Sequence, residues 1–184
     1  MKRRNNRAAT ADAPATDAPV PDGGDRWFLG EHEFTVDGQR RLAIPSAWRA
    51  ATPEGNRFVL LPGRDQSLQL VPAAMFRELL QRLRQVSFAD APAAMALATV
   101  GSMAAGCDAD KQGRIILTQR LMEHAGLSDR AVLVGAVTTI QIWEPSAWGR
   151  RRMDSNRGLD VIQALQERPG NWNEVLTGLI RPNA

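Results

Sequence analysis

The stretch Val36-Asp37-Gly38-Gln39-Arg40-Arg41-Leu42-Ala43-Ile44-Pro45 has a counterpart at Ala109-Asp110-Lys111-Gln112-Gly113-Arg114-Ile115-Ile116-Leu117-Thr118, and nothing else in the chain restricts its fold as much. In both, an Asp is followed four residues later by an Arg and then by an apolar run. The flanks repeat too. Val59-Leu60-Leu61 returns as Val132-Leu133-Val134, Leu68-Gln69-Leu70 as Ile140-Gln141-Ile142, and Phe76 as Trp148, with a one-residue slip in the loop between. Agreement across a whole unit indicates an internal duplication, so the fold must accommodate two similar halves.

Each half reads as strand, polar turn, strand. Phe34 and Val36 alternate before the first turn, and Leu42 and Ile44 alternate after it. Gly38 in the first turn and Gly113 in the second are the expected positive-φ residues, which would let the basic side chains project from a tight reversal. Asp37 and Asp110 are read as structural: an Asp at a strand end accepts backbone N–H groups of its own turn or pairs with the Arg four residues on.

At 184 residues the chain can bury one sizeable core, whereas a single half of about 45 residues cannot, so one domain of two halves is expected. A formal charge of +3 and a pI near 9.9 favour nucleic acid or another anionic partner without demanding one. The lone Cys107 excludes an intramolecular disulfide, and only His32 and His124 could join it on a metal, so no metal and no cofactor are expected. A reducing, cytoplasmic setting is expected. No apolar run approaches the roughly 18 residues that span a membrane.

Residues 1–26 are rich in Ala, Pro and Asp and lack an apolar period, which predicts a disordered extension. Its basic start at Lys2, Arg3, Arg4 and Arg7 has no apolar segment behind it, so secretion is not expected. It is either a solvated tail or an arm that slides on DNA. Trp48 is expected to anchor the core on a short helical turn after Pro45. Helical spacing of Met75, Phe76, Leu79, Leu80, Leu83 and Val86 predicts a helix over 72–86, with Met75 and Phe76 in the core and Arg77, Arg82 and Arg84 outside. A second helix is predicted over 90–105, capped by Asp90 with Pro92 in its first turn. Thr118 should cap a short helix closed by Gly126, with His124 structural in its last turn. Trp143 and Trp148 are read as packing residues. Beyond Gly149, the run Arg150-Arg151-Arg152 precedes two amphipathic segments, at 159–167 and at Trp172, Val175, Leu176, Leu179 and Ile180.

No nucleophile with a base, no unpaired carboxylate pair and no metal-ligand spacing is present, and the chain has no Tyr, so an enzyme is not expected. Asp37 and Asp110 each have a basic neighbour in their own turn, which favours ionised, structural carboxylates.

The Asp37-to-Arg41 run with Leu42-Ala43-Ile44-Pro45, and the Asp110-to-Arg114 run with Ile115-Ile116-Leu117, resemble the MraZ family, whose members carry two such Asp-x-x-x-Arg repeats. Phe28-x-Gly30, Ala125-Gly126-Leu127, Val134-Gly135 and Ile142-Trp143 add to the resemblance, which covers about 27–148. Two positions depart from the family's pattern: Arg40 stands where it has Gly, and Thr118 where the first half has Pro45. The resemblance implies an α+β fold, a tandem swapped-hairpin AbrB-like β-barrel from two internal repeats, with connecting and C-terminal helices. The division is then 1–26 extension, repeat one 30–76, helical connection 77–102, repeat two 103–148 and helical extension 149–184. A pseudo-two-fold axis would bring both turns to one face. Gln39, Arg40, Arg41, Lys111, Gln112 and Arg114 would then meet double-stranded DNA, with Asp37, Gly38, Asp110 and Gly113 shaping the turns. The implied function is a sequence-specific transcriptional regulator, a ring-forming homo-oligomer at short repeated elements upstream of a cell-division and cell-wall operon, associated with the nucleoid. It would take no small-molecule substrate. The alternatives are an AbrB-type antitoxin or developmental regulator, and an interaction scaffold that binds protein or membrane.

Overall fold

The computed structural model describes residues 26–84 and 89–167. The expectations for 1–25, for Val86 and for the stripe from Trp172 to Ile180 lie outside the described residues. The chain divides into two compact units, 1–145 and 146–184. All eight described strands belong to the first.

Six strands form one antiparallel sheet: β1 (Glu31–Thr35), β3 (Arg57–Pro62), β4 (Leu68–Pro72), β5 (Ala105–Asp108), β7 (Arg130–Ala136) and β8 (Thr139–Trp143). Their order is β1-β7-β8-β4-β3-β5. It reads alike from either end once β1 is matched with β5, β7 with β3 and β8 with β4. Each half therefore lends its first strand to the other's hairpin: β1 pairs with β7, and β5 with β3. The halves meet where Gln69 faces Gln141 between β4 and β8. Two further strands, β2 (Arg41–Ala43) and β6 (Arg114–Ile116), make a separate antiparallel ladder with Leu42 opposite Ile115.

The alternation visible in the sequence is used to fill one core. Phe58, Leu60, Leu68, Leu70, Leu133, Ile140 and Ile142 point inward from the large sheet, and Leu42, Ile44, Ile115 and Leu117 close it from the small ladder. Trp48 sits in the 3-10 turn Ser46–Trp48, 3 % exposed, where its ring meets Phe28 edge-on at 5.9 Å and its Nε1 donates to Leu29 O at 3.0 Å. The short helix α3 (Gln119–Ala125) is capped by the Thr118 hydroxyl, which accepts from Leu121 N, and is closed by Gly126 in the left-handed conformation. His124 contacts Gly63 O at 2.9 Å through Nε2.

Four expectations need correction. Arg26, placed with the disordered extension, is half-buried and holds its guanidinium 5.0 Å and 5.3 Å from the ring centres of Phe28 and Phe58. Met75 and Phe76 are not core residues. Helix α1 (Ala73–Leu83) buries no residue fully, Met75 and Phe76 are half-buried, and Leu79 and Leu80 are exposed, because its packing against β3 and β4 leaves the residues from Arg77 to Arg82 uncovered among the described residues. Helix α2 (Ala91–Met103), capped by Asp90 with Pro92 in its first turn, ends before Ala105, which is taken by β5. The fourth correction concerns Gly38, whose φ is not positive. Positive φ falls instead on Arg40, at 59°, the position that matches Gly113 at 77°. A type of turn set by the ladder fixes which residue must be left-handed, and in the first turn that residue is the fourth. For a non-glycine residue this costs about 1 to 2 kcal/mol.

Helix α4 (Pro145–Arg151) starts at the last residue of the first unit and carries Arg150 and Arg151 in its last turn, and α5 (Ser155–Glu167), in the second unit, includes the first predicted amphipathic segment. Leu159 and Ile162 on α5 are exposed.

The two turn glycines should respond differently to a methyl group. Gly38→Ala meets open space and ordinary backbone, so the melting temperature should stay close to the parent's. Gly113→Ala forces a side chain into a left-handed position and into the Arg49 guanidinium. Its cost of about 1 to 2 kcal/mol, at about 2 to 4 °C per kcal/mol, should be plain in a thermal melt. Equal melting temperatures would show that the second turn does not hold this geometry.

Candidate nucleic-acid interface

The two turns are built by the same hydrogen bonds. In the first, Asp37 Oδ1 accepts from Gln39 N and Arg41 N, both at 2.9 Å, and Oδ2 accepts from Arg41 Nε at 2.6 Å. In the second, Asp110 Oδ1 accepts from Gln112 N and Arg114 N, both at 2.9 Å, while Oδ2 takes Arg114 Nε at 2.9 Å and Nη2 at 2.7 Å. The backbone closes each reversal: Arg40 N donates to Asp37 O, and Gly113 N to Asp110 O, at 2.8 Å. Each carboxylate is thus a turn-former and an anchor for the Arg at once. Hydrogen bonds from the Arg41 backbone and side chain hold the Asp37 carboxyl below its ordinary value, and bonds from the Arg114 side chain and backbone do the same for Asp110.

The small ladder decides where these arginines point. Arg41 lies opposite Ile116 and Ala43 opposite Arg114, so these four side chains share one face of the ladder, and Leu42 and Ile115 take the other. The second face is the core. The first is outward, with Ile116 59 % exposed and the Arg41 and Arg114 side chains about one-third exposed. Two residues of strand rise separate the arginines along the ladder, about 7 Å. Gln39, Arg40, Lys111 and Gln112 are exposed on the two turns that enter the ladder at its opposite ends. Gln112 Oε1 accepts from Arg114 Nη2 at 3.1 Å.

Cross-links between the halves complete the site. Leu117 N donates to Arg40 O at 2.9 Å, and Ile44 N to Gly113 O at 2.8 Å. The freed carbonyls of the same two residues are each capped by an arginine: Leu117 O accepts from Arg40 Nε at 3.2 Å, and Ile44 O from Arg49 Nε at 2.8 Å. Arg49 escaped the sequence reading. Its guanidinium covers Gly113, which is buried, although the two residues lie in different halves of the chain. The only signal was the mismatch of Arg40 with Gly113, which leaves the second turn without a side chain at that place.

Cys107 is buried, and its thiol is pushed up to about 12 by burial first and by the nearby Asp108 charge second, which leaves it a poor nucleophile. Among the described residues no three His, Cys, Asp or Glu side chains cluster as a metal site, and no helix is long and apolar enough to cross a membrane.

The two halves share one core and present two aspartate-anchored arginines on the outward face of a two-stranded ladder. Comparison with known proteins shows the family. The MraZ protein family model matches residues 27–99 and 102–155. The chain is 39 % identical over 121 residues to the transcriptional regulator MraZ of Herpetosiphon aurantiacus, covering 66 % of this chain and 83 % of that one. It is 37 % identical over 121 residues to that of Pelotomaculum thermopropionicum (66 % and 82 %) and 35 % identical over 135 residues to that of Desulforamulus reducens (73 % and 94 %). The chain belongs to the MraZ family, which is one of transcriptional regulators and not of enzymes.

The lowered carboxyls set an acid response. An Asp with a depressed folded pKa contributes stability that is present above its unfolded value, near 3.9, and is lost as pH falls through the folded value. The parent's melting temperature should therefore drop below about pH 4. The Asp37→Asn/Asp110→Asn variant should be less stable at pH 7 and lose less on acidification. Melts from pH 7 to pH 2 test this, and parallel curves for the two proteins would remove the aspartates from the acid response.

Proposed function

We propose that this protein is a sequence-specific DNA-binding transcriptional regulator acting at short repeated operator elements upstream of a cell-division and cell-wall operon, its own. The reading rests on one observation above the rest: Arg41 and Arg114 share the outward face of a two-stranded ladder, each held by an aspartate. A two-stranded ribbon fits the major groove of B-DNA, and Arg is the side chain suited to guanine edges. Gln39, Gln112, Arg40 and Lys111 on the flanking turns are placed to add polar and phosphate contacts. The family membership and the names of its curated relatives support the same function. In this reading the interleaved strand order reflects a tandem of AbrB-like swapped hairpins, and the protein works in the cytoplasm, at the nucleoid.

Truncation of the two arginines tests the site. Arg41→Ala and Arg114→Ala leave Asp37 and Asp110 their backbone partners, so circular dichroism should be that of the parent. Affinity for selected operator DNA should fall about tenfold or more, since a bidentate Arg–guanine contact is worth about 1 to 3 kcal/mol. Parental affinity in both variants would place the DNA site elsewhere.

One chain offers a single pair of small turns, and tight binding then calls for several pairs on one duplex. Helices α1 and α2 leave Leu79, Leu80, Met95, Leu97 and Val100 exposed, which favours self-association into a ring. In such a ring, neighbouring subunits take successive repeats, and the first contact raises the effective concentration of the next. Elements about 10 to 10.5 base pairs apart lie on one side of the duplex. Insertion of about five base pairs between repeats should weaken binding far more than insertion of a full turn. A titration with both spacers, with oligomer mass from light scattering, distinguishes this from a monomer that binds one repeat tightly.

A further inference from the structure

Arg40 and Arg49 occupy matching places in the two turns although they do not match in sequence. Each donates its Nε to the backbone carbonyl of the residue that follows a strand of the small ladder, Arg40 to Leu117 O and Arg49 to Ile44 O. Ile44 and Leu117 are themselves counterparts, as the seventh residue after Asp37 and Asp110. Arg40 reaches its carbonyl from within the first turn. The second turn has Gly113 at that point, and the guanidinium of Arg49 lies over it instead. Anchoring through Nε fixes the plane of a guanidinium while leaving its two Nη groups for another acceptor. Neither arginine has a carboxylate within ion-pair distance among the described residues, whereas Arg41 and Arg114 are paired with Asp37 and Asp110. The uncompensated positive charge of the ladder region is thus carried by Arg40 at one turn, and by Lys111 and Arg49 at the other.

We infer that Arg49 is a DNA-backbone contact of the second turn, supplied across the two halves and equivalent to Arg40 in the first. The inference rests on the DNA-binding reading above and extends it to a residue outside both Asp-x-x-x-Arg runs. A fixed, planar, unpaired guanidinium is suited to phosphate oxygens. Arg49 would then position the duplex without reading its sequence.

Salt dependence separates this role from a purely structural one. The probe is the duplex that the parent protein selects from random DNA, titrated over a range of salt concentrations. Arg49→Gln keeps an N–H donor for Ile44 O and removes the charge. Its slope of log affinity on log salt should be shallower than the parent's by about 0.9 for each engaged subunit, with the same preferred sequence. Arg49→Ala/Gly113→Arg moves the charge to the place that Arg40 holds in the first turn, and the slope should return to the parent's. Thermal melts accompany each titration, because loss of the Ile44 cap lowers stability without changing a salt slope. A folded Arg49→Gln protein with the parental slope overturns the inference and leaves the DNA reading standing. So does a folded double variant whose slope stays shallow. A parent that selects no duplex overturns both.

Discussion

Leu42 and Ile115 face one another across the middle of the small ladder with no exposure to solvent, and the presentation of every basic side chain in the turns depends on that contact. Burial of each is worth roughly 1.5 to 3 kcal/mol, and it fixes the register of two strands only three residues long. A slip of one residue would exchange the faces, sending Arg41 and Arg114 toward the core. Register is therefore held by the hydrophobic effect, while the charged face follows from strand alternation at no further cost.

The exchange of first strands gives that ladder its support. Because β1 completes the hairpin of the second half and β5 that of the first, neither half closes its own core. The turns consequently cannot move independently: Leu117 N is bonded to Arg40 O and Ile44 N to Gly113 O, so each turn is tied to the strand that follows the other. In the proposed DNA-binding role, such fixed spacing would leave little ordering to be done on binding a duplex. The left-handed backbone of Arg40 is a local cost that this framework sustains, and its side chain returns part of it by capping Leu117 O.

The aspartates explain why the motif spaces Asp and Arg four apart. A carboxylate that has closed its turn through two backbone N–H groups still has one oxygen free, and the first side chain of the following strand is the one that passes it. The arrangement aims the Arg and leaves part of its guanidinium to other partners, so the carboxylate orients the cation more than it cancels it.

Much of this was legible in the sequence because it is local. Strand alternation, the Asp-to-Arg spacing, the Trp48 anchor and the caps at Asp90, Thr118 and Gly126 all follow from residues within a few positions of one another, where backbone geometry and propensity act directly. What the tertiary structure decided was long-range. The sequence offered Gly38 as the flexible turn residue, but the ladder register demanded left-handed backbone at Arg40. The helical period of α1 promised a buried stripe, but a period says only which side is apolar and not whether a neighbour covers it. The placement of Arg49 over Gly113 was beyond sequence reasoning for the same reason: it is made by two segments that meet only after the halves have exchanged strands.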